Sequence, residues 1–132
     1  MRAYIQYILV AVGLMSFCAN THATDGNRLL SNCSIVETYM DSKEPPKDGE
    51  IDGGMCLGLI EGVKRMTHLA HGAGHTGILN VCWPNNTAIS NGQAVRIVLS
   101  YLRKHPNYLQ IDQSYLVLYA YQDAYPCTDQ VK

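Results

Sequence analysis

The sequence predicts an all-α fold, a small four-helix bundle with long loops and two disulfides. Three observations point there. Four stretches carry apolar residues at three- and four-residue spacing, the period that buries one face of a helix. Segments rich in glycine, proline and polar residues separate them. Of five cysteines, four remain once an amino-terminal leader is removed: Cys33, Cys56, Cys82 and Cys127.

The leader is residues 1–23. Met1-Arg2 precedes an apolar run from Tyr7 to Met15, and Thr21-His22-Ala23 supplies small residues before the cut. The run is shorter than the roughly 20 residues that span a bilayer. Phe17 does not suit the position before a lipid-modified Cys18, so a soluble exported domain of residues 24–132 is expected. Outside the cytoplasm, paired cysteines persist as disulfides.

Within that domain the first helix follows Asp25, its expected cap, and runs from about Arg28 to Met40. Leu29, Leu30, Cys33, Val36 and Met40 make its apolar face. Asp41 to Gly54, with its prolines, glycines and acids, reads as a solvated loop. The second helix spans Met55 to Ala70, with Cys56, Leu59, Ile60, Val63, Met66 and Leu69 as the expected inward stripe. Gly58 and Gly62 would let another helix or a loop approach its backbone. Gly72 and Gly74 end it, and irregular chain follows from Thr76 to Ile89. The third helix opens on Ser90-Asn91-Gly92-Gln93, which fits a capping box, and closes on Arg103-Lys104-His105. The fourth covers Asn107 to Ala124 and stops before Pro126. Tyr115 to Tyr121 is also compatible with a buried strand, although no partner strand is evident.

Four cysteines allow three connectivities. In an up-and-down bundle the first helix starts where the fourth ends, which favours Cys33–Cys127 with Cys56–Cys82. Cys33–Cys56 with Cys82–Cys127, and Cys33–Cys82 with Cys56–Cys127, remain open.

Charge excludes several functions. Without Arg2 the ten Lys and Arg become nine against eleven acids, a net charge of −2. Such a chain has no electrostatic footprint for nucleic acid or an anionic membrane. No nucleophile elbow or phosphate-cradling glycine loop is present, and disulfide-bonded cysteines cannot serve as nucleophiles. His68, His71 and His75 have ligand-like spacing, but the run straddles Gly72 and Gly74 and lacks a nearby acid. No metal or cofactor is therefore expected. The candidates for contact with a protein partner are the acids Glu44, Asp48, Glu50 and Asp52, together with His71, His75 and Trp83.

Several short blocks stand in order along the chain. They are Asp25-Gly26-Asn27 through Leu29-Leu30 to Cys33, Cys56-x-Gly58-x-Ile60-x-Gly62-Val63, Cys82-x-Pro84, Gly92-Gln93-x-Val95, and Ala124-Tyr125-Pro126-Cys127. The pattern resembles the Rap/Tai group of immunity proteins of bacterial type VI secretion systems, over nearly the whole domain. The resemblance implies a periplasmic, mostly helical protein, often a homodimer, without catalytic activity. Its partner would be a peptidoglycan amidase toxin, whose cysteine–histidine cleft it blocks. The matching positions are cysteines, glycines, caps and core, so the resemblance assigns no toxin-contacting residue. A second reading is a small disulfide-linked periplasmic chaperone of the acid-stress type, which shares size and compartment.

Overall fold

Three helices of this chain start at side chains that satisfy free backbone N–H groups. In the computed structural model, which describes residues 25–44, 48–74, 77–84 and 89–127, there are four α-helices. They are α1 (Gly26–Ser42), α2 (Glu50–Gly72), α3 (Asn91–Lys104) and α4 (Gln113–Ala124), with a 3₁₀ turn at Pro106–Tyr108. The leader lies outside the described residues.

Asp25 Oδ1 accepts from the Arg28 N–H at 3.2 Å, Ser90 Oγ from Gln93 at 3.2 Å and Asp112 Oδ1 from Ser114 at 2.8 Å. The reciprocal half of the expected capping box at Ser90 is not formed. The Gln93 amide donates instead to the Tyr125 hydroxyl at 3.3 Å, tying the start of α3 to the end of α4. α4 begins six residues later than the sequence predicts, because Pro106 opens a separate turn and Asp112 provides the cap. Tyr115–Tyr121 is helical, and the only sheet-like pairing among the described residues is an isolated bridge between Asp25 and Asp112.

α2 begins at Glu50, inside the expected loop. Gly49 adopts φ +91°, and a Cβ there would press on Ile35 Cδ1 at 2.8 Å. The turn thus folds tightly under α1, and Glu50 and Asp52 become first-turn residues that complement the helix dipole.

The disulfides are Cys33–Cys56 and Cys82–Cys127. This corrects the expected Cys33–Cys127 and Cys56–Cys82 pairs. The Asp25–Asp112 bridge, with Gly26 N–H donating to Ile111 O at 3.2 Å, sets the start of α1 beside the start of α4. Cys127, beyond the far end of α4, therefore lies away from the start of α1. Cys33 and Cys56 instead face each other across the α1–α2 hairpin. The segment after α2 runs to the end of α4, where the Cys82 N–H donates to Tyr125 O at 3.1 Å.

The core is built from all four helices, through Leu29, Cys33, Ile60, Val95, Val98, Leu99, Leu102, Leu116, Val117 and Tyr121. α2 departs from the sequence reading in which face it buries. Its buried positions are Gly53, Cys56, Ile60, Lys64 and Thr67, whereas Met66 is 55% and Leu69 71% exposed. The disulfide fixes Cys56 inward, and two polar residues find partners inside. Lys64 Nζ meets Glu61 Oε2 at 2.5 Å and donates to Asn91 Oδ1 at 3.0 Å and Ile89 O at 3.4 Å. Thr67 donates to Lys64 O at 2.7 Å and accepts from the Trp83 indole N–H at 3.3 Å. Satisfied polar groups can be buried, so the helix turns part of its apolar stripe toward solvent.

Candidate protein-interaction site

Three features of the surface could meet a partner. The first is the tip of the α1–α2 hairpin. α1 ends at Lys43, whose left-handed backbone (φ 58°) lets its N–H return to Tyr39 O at 2.9 Å, and Gly49 starts α2. Between these clamps stand Glu44 and Asp48, both exposed, with Glu50 and Asp52 on the next turn. Asp52 lies 3.9 Å from Arg28, and Asp41 binds Arg96 at 2.6 Å. Glu44, Asp48 and Glu50 form no ion pair among the described residues. Tyr39, 49% exposed, and Ile51, 81% exposed, stand among these acids. Beneath them Ile35, Val36, Tyr39, Gly53 and Leu57 line a cavity of about 350 Å³. Apolar anchors ringed by charge are a composition typical of protein contact surfaces.

The second feature is the far end of α2. His68 stacks on Trp83 with ring centroids 4.8 Å apart, and Trp83 meets Tyr121 edge-on at 5.0 Å and Tyr125 at 5.1 Å. Trp83 is half-buried with its indole N–H bonded to Thr67, so it anchors the loop carrying Cys82. His71 is exposed on the last turn of α2; His75 lies outside the described residues. The acids and His71 are thus not one site, since nearly the whole of α2, about 30 Å of helix, separates them.

The third feature is the outward apolar stripe of α2. Met55, Gly58, Gly62, Met66 and Leu69 are all exposed. Beside them Leu59, Val63, Leu79, Tyr115 and Leu118 line an apolar groove of about 460 Å³ between α2 and α4. Sequence periodicity assigned Met66 and Leu69 of this stripe to the core. The signal that could have placed it outside is Lys64 and Thr67, polar residues on the opposite side of the same turns.

All four cysteines of the domain are in disulfides, and among the described residues no group of three His, Cys, Asp or Glu is placed to hold a metal ion. No helix among them is long and apolar enough to cross a membrane.

The family described as Rap1a immunity proteins matches residues 25–127, the stretch from the cap of α1 to the last disulfide cysteine, and the chain belongs to that family. No curated protein and no solved structure matches significantly.

Proposed function

We propose that this member of the Rap1a immunity protein family acts in the periplasm, where it binds and inhibits a peptidoglycan amidase toxin of a type VI secretion system. The family match over residues 25–127 carries the reading. In this account the leader delivers the chain to an oxidising compartment, where the two disulfides form. The mature protein works without catalysis, as a homodimer.

The hairpin tip supports the inhibitory role best. A cysteine–histidine cleft is concave and can hold an imidazolium. An edge where Glu44, Asp48 and Glu50, which form no ion pair among the described residues, surround Tyr39 and Ile51 is chemically suited to enter such a cleft. Cys33–Cys56 and the clamps at Lys43 and Gly49 hold the two helix ends that flank the tip, which limits the entropy they lose on binding. Asp52, His71, His75 and Trp83 are assigned lesser roles, at the margins of contact or in supporting it.

The test is protection in cells. Bacteria making the amidase encoded beside this protein in their periplasm should survive when the protein is co-exported and lyse when it is not. Lysis despite normal levels of the exported protein would overturn the proposal.

A further inference from the structure

The crevice between α1 and α2, beneath the hairpin tip, has walls of three chemical kinds. Ile35 and Val36 of α1 and Leu57 of α2 give it apolar sides, and half-exposed Tyr39 adds an aromatic ring. Among the described residues that line it, Glu50 carries the charge. That residue is exposed and forms no ion pair among the described residues. The volume, about 350 Å³, is ample for one long side chain.

Gly54 keeps the crevice open. It lines the space, and a Cβ built there meets nothing within 4 Å. Gly49 is different, since its φ of +91° and Ile35 Cδ1 at 2.8 Å from an added Cβ both demand glycine. Packing within the chain makes no such demand at Gly54, and glycine inside a helix is unfavourable. A larger side chain at this position would take up room that a partner group can fill.

The walls select one kind of occupant. A purely apolar group would leave the Glu50 carboxylate unused, and a small cation would leave the apolar sides unused. A lysine or arginine side chain uses both. Its aliphatic stem lies along apolar surface while its charged head stays near water, where it can pair with a carboxylate and meet an aromatic face. Arginine fits best, because a planar guanidinium binds a carboxylate through two hydrogen bonds and also stacks on a ring.

We infer that this crevice receives one basic side chain of the toxin, arginine foremost, with Glu50 and Tyr39 meeting its head and Gly54 admitting its stem. The inference rests on the toxin-binding reading above. It goes further by giving the contact a second direction, a toxin group entering the immunity protein, and by naming the chemistry of that group.

Calorimetric binding of the purified amidase encoded beside this protein to the oxidised full domain tests it. Gly54→Leu should weaken binding by about tenfold or more, with thermal unfolding at or above the wild-type temperature. Glu50→Gln should weaken it about threefold, and raised salt should narrow that difference. Arg→Ala and Lys→Ala replacements across the amidase surface should then yield one variant that no longer distinguishes wild-type domain from Gly54→Leu. Should Gly54→Leu fail to fold, Glu50→Gln read against the same amidase series decides in the same way. Wild-type affinity in a folded Gly54→Leu domain overturns the crevice and leaves the immunity reading standing. Weakened binding with no such basic position on the amidase overturns the basic occupant, and the inference with it. A wild-type domain that does not bind the amidase overturns the toxin-binding reading as well.

Discussion

Lys64, buried in the middle of α2, donates to Asn91 Oδ1 across 3.0 Å and ties that helix to the first turn of α3. The same ammonium meets Glu61 Oε2 at 2.5 Å, and that buried oxygen has no other partner among the described residues. The hydrogen bond from Lys64 holds the Glu61 carboxyl below its ordinary pKa. Removing one partner of such a pair costs more than the pair contributes, because the other charge is stranded. Glu61 retains some solvent and Arg65, which softens the loss. Lys64→Met is expected to lower unfolding free energy by about 2 kcal/mol in urea titrations; an unchanged midpoint would contradict the burial.

The disulfides close loops of 23 and 45 residues. On loop entropy they stabilise the fold by about 3.4 and 4.0 kcal/mol respectively. Replacing Cys82 and Cys127 together by Ala should therefore be the more damaging double change. Non-reducing peptide mapping should find Cys33 with Cys56 and Cys82 with Cys127. Any Cys33–Cys127 peptide would contradict the placement of α1 beside the start of α4.

Gly26 is a packing residue. An added Cβ would lie 3.0 Å from both Cα and O of Leu109 and collide with Leu116. Gly26→Ala should destabilise by about 2 kcal/mol through overpacking. Gly54→Ala, where a Cβ meets nothing within 4 Å, should gain up to about 1 kcal/mol from helix propensity. Thermal unfolding of the two variants should move in opposite directions.

Glu37 and Arg103 join α1 to α3 through two hydrogen bonds, one of 3.2 Å and one of 2.5 Å. The hydrogen bond from Arg103 lowers the Glu37 pKa below its ordinary 4.5. A carboxyl depressed in the folded state stabilises above its unfolded pKa and loses that contribution as pH falls through the folded value. The pair is partly exposed and screened, so Glu37→Gln should cost no more than about 1 kcal/mol at pH 7. Wild type and variant should converge below pH 4.5; a constant gap down to pH 2 would contradict the assignment.

Much of this architecture was legible in the residues. Asp25 and Ser90 announced their helices because capping is local chemistry. Four apolar periodicities located the four helices. The disulfide pairing was not legible, because it follows from where α4 starts relative to α1, a tertiary fact carried by Gly26 and Ile111. The facing of α2 was not legible either. Periodicity counts Met66 and Leu69 as core, and only the partners of Lys64 and Thr67 across the bundle reverse that. The acidic tip was read as a partner-binding candidate from composition, but its clamps at Lys43 and Gly49 and the exposed Tyr39 and Ile51 emerge only from the fold.

On the proposed reading inhibition depends on the hairpin tip rather than on the core, so changes there should separate binding from stability. Glu44→Gln, Asp48→Asn and Glu50→Gln combined should leave the unfolding free energy within about 1 kcal/mol of wild type and weaken toxin binding at least tenfold. The direct measurement is a titration of the purified amidase, digesting peptidoglycan, with the oxidised full domain. Turnover should fall to zero near one domain per toxin, and the triple variant should need a clear excess. Full amidase activity at a large excess of wild-type protein would contradict the account.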